Sequence, residues 1–141
     1  MYRSTSARVA RRPFTGILGV ACLLTLGACG SGPGSDVAAR TAVTFEQQVA
    51  SAPAEACSLL AEKTRSDLEK SEKKPCAQAL PDVDLPAASA LNRVDVYEQH
   101  ARVILHDDVV FVARFRDGWK VTAAGCKAQP NDEPYDCELG G

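Results

Sequence analysis

The chain has 141 residues, 16 basic and 18 acidic, a formal net charge of −2 and six cysteines. It is too short for more than one sizeable core beside any targeting segment. Its acidic balance, sharper once the basic N-terminus is set aside, excludes an electrostatic match to nucleic acid.

The first twelve residues carry Arg3, Arg8, Arg11 and Arg12 and no acid. An apolar run of about fifteen residues follows, from Phe14 to Ala28. As a helix it would rise about 22 Å, short of a bilayer core of about 30 Å. A basic head, a short apolar run and small residues at its end describe an export signal rather than a membrane span. Its last positions, Leu26-Gly27-Ala28-Cys29, resemble the bacterial lipobox. The resemblance implies cleavage before Cys29 and lipid on its thiol and freed amine. Two or three acyl chains suffice for stable anchoring, at about 0.8 kcal/mol per buried CH₂. The competing reading is an ordinary cleaved signal with an incidental cysteine. Arg11-Arg12 hints at the twin-arginine route, but disulfides favour export of an unfolded chain by the general secretory route.

Residues 1–28 are thus expected to be a signal peptide, 29–35 a lipidated Gly/Ser tether, and 36–141 one domain. The mature chain would keep 113 residues, 12 of the basic and all 18 of the acidic ones, a net charge of −6. Its expected location is the extracytoplasmic face of the cell membrane, held by the N-terminal lipid.

Asp36 or Ser35 can cap a first helix running to about Ser51. Val37, Thr41, Thr44, Phe45 and Gln48 are expected to form its partly apolar face. Pro53 breaks that helix and can start the next, over Ala54–Lys63. Thr64 followed by Asp67 reads as the cap of a polar helix to about Lys73, with Leu68 its main apolar contact. Cys76–Leu80 adds one turn.

Beyond Pro86 the composition changes to Val, Ile, Phe, Tyr and Arg in short alternating runs. Strands are expected at Leu91–Glu98, Ala101–Leu105, Val109–Phe115 and Trp119–Ala124, with a short one around Cys137. His106-Asp107-Asp108 makes one turn and Asp117-Gly118 a tight hairpin. Trp119, Val121 and Ala123 would face one way. The expected fold class is α+β: N-terminal helices on one face of a curved antiparallel sheet of four or five strands.

This element order resembles the cystatin-like cone of the nuclear transport factor two (SnoaL-like) superfamily. The stretches AEACSLLAEKTRSDLE, KPCAQAL, VVFVARFRDGWKVTAAGC and PYDC resemble small actinobacterial lipoproteins of unassigned function. That likeness carries no functional residue with it.

With Cys22 leaving in the signal and Cys29 lipidated, four cysteines remain. An even number in a small exported domain implies disulfides. The expected pairs are Cys57–Cys76 and Cys126–Cys137, each within one local unit and each contributing about 3 kcal/mol. Their spacings match no zinc ribbon, and there is no C-x-x-C.

No nucleophile elbow, P-loop or dinucleotide-binding glycine pattern occurs. His100 and His106 read as surface residues, and the acidic run near Asn131 and Asp132 as a solvated loop. No catalytic residue, metal or cofactor is expected. The leading expectation is a non-catalytic module that binds a protein of the cell envelope. The alternative is a small-ligand binder or isomerase-like protein with a cone pocket lined by Tyr97, Arg114 and Trp119, beside Asp95.

Overall fold

The computed structural model describes residues 34–140. The signal segment, Cys22, Cys29 and the tether up to residue 33 lie outside them. Four helices come first: α1 (Ser35–Ser51), α2 (Pro53–Leu59), α3 (Glu62–Glu72) and α4 (Cys76–Ala79), the last continued by a 3₁₀ turn over Leu80–Asp82. A five-stranded antiparallel meander follows: β1 (Leu91–Tyr97), β2 (His100–Leu105), β3 (Val109–Phe115), β4 (Gly118–Lys127) and β5 (Asp136–Gly140), paired in chain order. The fold is therefore α+β, with helices packed on a sheet. No helix among the described residues is long and apolar enough to cross a membrane.

α1 begins at a buried Ser35, and Gly34 precedes it with φ +89° against the Trp119 ring. The last two residues assigned to the tether thus pack with the domain. The buried face of α1 also differs from the expected one. Ala38, Ala39, Ala42, Phe45 and Glu46 are buried, whereas Val37 is 44% exposed. Methyl side chains carry little hydrophobic weight in a periodicity reading. In three dimensions they let the helix axis sit close to the sheet, and Phe45 then fills the remaining depth.

The second helix stops at Leu59, short of the expected Lys63. Leu60 forms a parallel bridge to Val121, and the Ala61 amide donates to the Val121 carbonyl at 2.8 Å. α3 therefore starts at Glu62 with Ala61 as its N-cap residue. Thr64 lies inside the helix and caps nothing. Its hydroxyl instead donates to the Thr122 carbonyl at 2.9 Å, tying α3 to β4. Leu68 is buried, as expected.

The strands fall close to their expected limits. A register shift near Thr122 changes which way β4 faces. Val112 pairs with Val121, but the adjacent Phe111 pairs with Ala123. Neighbouring residues of β3 point to opposite faces, so Val121 faces the helices and Ala123 faces away. The expected grouping of Trp119, Val121 and Ala123 is corrected at its third member. Val103, Val110, Val112 and Val121 meet Phe45 and Leu80 to form the fully buried centre.

Both disulfides join the expected partners. Cys57–Cys76 fastens α2 to α4, and Cys126–Cys137 fastens β4 to β5. Phe45 is the largest side chain in the buried centre. Phe45→Ala should therefore lower unfolding free energy by about 3–5 kcal/mol, read by denaturant titration.

Candidate functional site

The three residues expected to line a cone pocket sit in different surroundings. Tyr97 closes β1 and is 58% exposed. Trp119 is 7% exposed, packed in the core beside Gly34. Arg114 sits opposite Trp119 in the β3–β4 ladder but is exposed. The space between helices and sheet is taken up by Phe45, Leu80 and the central valines. None of the three lines either of the clefts described below. Asp95 is likewise committed: Arg102 beside it, joined by Arg93, holds its carboxyl below the usual carboxylate range.

A cleft of about 630 Å³ opens instead on the far face of the sheet, beside α3. Its floor is Phe111 and Ala123, which the β4 register shift turns to that side. Ala61 and Thr64 of α3 and its N-cap form one wall, and Pro134 and Tyr135 before β5 the other. Tyr135 meets Phe111 edge-on, with ring centroids 5.1 Å apart. The Arg102 guanidinium donates to the Tyr135 hydroxyl at 3.1 Å, fixing the ring. Phe115, 47% exposed, stands at one end. Lys63, Asp67 and His100 supply polar groups around this apolar lining. Lys63 is hydrogen-bonded to Asp67, which holds the Asp67 carboxyl below its usual range.

Phe115, Ala61 and Lys63 also border a second cleft of about 930 Å³, between the α2–α3 junction and the β3–β4 hairpin. That space is lined by charged side chains already paired with one another, Arg65 with Glu69 and Lys120 with Asp117. It offers an apolar group less than the first cleft does. Volume and lining of the first cleft suit a drug-sized apolar ligand or a cluster of apolar side chains.

A second constellation lies between α1 and the β2–β3 turn. Asp108 is 6% exposed and its carboxylate accepts three backbone N–H groups. These come from Val109 at 2.6 Å, Cys126 at 2.9 Å and Gly125 at 2.9 Å. Glu46 of α1 faces it, equally buried, with one oxygen accepting the Ser89 amide at 3.2 Å and the other accepting no hydrogen bond. Burial pushes Glu46 up to about 8, and the nearby Asp108 and Asp107 carboxylates add to this against the Ser89 bond. Near neutral pH Glu46 is therefore protonated and uncharged, which suits its burial beside Asp108. Neither acid lines either cleft. Their role is to join elements rather than to meet a ligand.

Sequence reasoning missed both acids and the cleft. Glu46 left a trace, since it lies four residues after Ala42 and next to Phe45, on the true buried stripe. Among the described residues no group of three or more side chains could hold a metal ion. No family model, curated protein or solved structure matches this chain.

The sign of the pH dependence follows from Glu46. Its folded pKa lies above the unfolded value of 4.5. The folded state binds the extra proton between those values, so this contribution to stability is complete below about 4.5 and is lost as pH rises toward about 8. Glu46→Gln, which keeps a donor toward Asp108, should flatten this loss. It should be more stable than the parent above pH 8 by at least about 1 kcal/mol. Denaturant titrations at several pH values read both effects.

Proposed function

We propose that the chain is a lipid-anchored lipoprotein of the extracytoplasmic membrane face, carrying a non-catalytic module that binds an envelope protein. The observation that carries the binding reading is the apolar cleft beside α3, with Phe115 half-exposed at its end. What sets Phe115 apart from the exposed Val37, Leu91 and Tyr97 is its place at an apolar cleft, where a binding surface uses such a ring as an anchor. The basic head, short apolar run and Cys29 support the anchor. Two disulfides in a domain of this size suit an oxidising compartment. Helices followed by an antiparallel meander have the element order on which the likeness to the cystatin-like cone rests.

The cleft volume favours a second reading, in which the occupant is a small apolar ligand rather than a protein segment. That reading no longer depends on Tyr97, Arg114 and Trp119.

Two experiments test the proposal. Cys29→Ala should move the protein from the membrane to the soluble extracytoplasmic fraction with both disulfides intact. A variant that stays firmly membrane-bound overturns the anchor. A photoreactive residue at Phe115 should crosslink to one envelope protein, while the same residue at exposed Val37 should not. Adducts of small-molecule mass would favour the second reading, and equal crosslinking at both positions would count against the cleft.

A further inference from the structure

β1 is an edge of the sheet, with β2 on one side. Among the described residues no loop or cap hydrogen bond reaches its other side. The opposite edge is treated differently: where β4 runs beyond β5, Leu60 and Ala61 pair with it.

The phase of the ladder fixes which groups β1 leaves open. His100 sits opposite Ala113, and the Arg114 amide donates to the Gln99 carbonyl at 2.7 Å. In an antiparallel ladder this makes His100–Ala113 a non-hydrogen-bonded pair, so His100 directs its N–H and C=O to Tyr97. By alternation Tyr97, Asp95 and Arg93 direct theirs toward β2. The N–H and C=O groups of Val94 and Val96 point to the open edge. The side chains alternate too: Arg93 and Asp95 lie on the sheet face away from the helices, and Val94 and Val96 pack toward the core.

We propose that β1 pairs antiparallel with β1 of a second copy about a two-fold axis through Val94. Val94 then faces its own counterpart in a hydrogen-bonded pair, using the groups the ladder leaves outward. Arg93 of each copy falls opposite Asp95 of the other, in non-hydrogen-bonded pairs where side chains come closest, at a Cα separation of about 4.5 Å. Arg93 is exposed and already bonds Asp95 of its own strand at 3.0 Å, so reaching across replaces one carboxylate with another. The other registers fit worse. An axis through Arg93 or through Asp95 sets like charges against each other. An axis through Val96 sets Asp95 against Tyr97 and leaves Arg93 opposite Gln99. The short strand makes a small interface, weak in dilute solution. Confinement of both copies to one membrane would strengthen it through local concentration.

Cysteine crosslinking of the purified full chain tests the register. Under mild oxidation Val94→Cys should give a covalent dimer bridged by the two introduced thiols, identified by peptide mapping alongside the two native disulfides. Val96→Cys should not, because the axis leaves its two Cα atoms about 13 Å apart. Val94 is only half-buried, so cysteine there is compatible with folding, and intact native disulfides report that it has folded. Arg93→Glu in the Val94→Cys background should reduce dimer yield severalfold. A Val94→Cys protein that folds yet stays monomeric overturns the proposal. So does crosslinking as efficient at position 96 as at 94, or a yield indifferent to Arg93→Glu.

Discussion

The carboxylate of Asp108 is the point on which the architecture converges. A buried carboxylate is costly unless every lone pair is met. Three backbone N–H groups meet it here, and Glu46 is buried beside it. Two of those donors, Gly125 and Cys126, lie in β4 beyond Ala123, where its pairing with β3 ends and its pairing with β5 continues. Gly125 has φ +67°, and a Cβ there would lie 2.9 Å from the Glu138 Cβ. A side chain at 125 would therefore disturb both the backbone turn and β5. Glu46 brings α1 to the same point, and Ser89 brings the segment before β1. Helix, turn, linker and β4 thus meet at two buried acids and the few amides that hold them.

What the sequence makes legible follows from the range of each interaction. The nearly continuous apolar run of Val109–Phe115, the Asp117-Gly118 turn and the order of the strands are local signals, and each is realised. The disulfide pairs were also accessible, because each cysteine pair lies within one local unit. The face of α1 was not. Its contacts rest on alanines, whose value comes from how near the sheet can approach, a property of the assembled pair. The end of α2 at Leu59 was hidden for a similar reason. Leu60 and Ala61 are good helix residues, and only Val121, distant in sequence, draws them into extended structure.

The candidate site follows from these same non-local features. The shift at Thr122 turns Ala123 to the far face beside Phe111, which makes a floor. The break at Leu60 and the Thr64–Thr122 hydrogen bond stand α3 beside that floor as a wall. The Cys126–Cys137 bridge holds the start of β5, and with it Pro134 and Tyr135, as the opposite wall. The expected pocket was the hollow of a cone, between helices and sheet. Here that side is filled by Phe45 and Leu80, and the open volume moves to the other face. No single residue of the cleft carries an unusual local signal, since Phe111 and Phe115 read as ordinary strand residues and Tyr135 as part of the segment leading into β5.

The two sheet edges then bear on how the cleft is presented. One edge is closed within the chain by Leu60, Ala61 and α3. The other carries Arg93 and Asp95, and charge on an edge strand normally discourages pairing. It does so when neighbours meet like with like. Opposite charges spaced symmetrically about Val94 pair in that register and clash in the ones centred on Arg93 or Asp95, so the same residues that block indiscriminate association favour one partner arrangement. A two-fold axis normal to the sheet keeps the corresponding faces of both copies on one side. Both clefts would open on that common face, with the two α1 helices behind it. A segment bearing two apolar anchors could engage both at once, and its avidity would depend on the β1 edge that joins them.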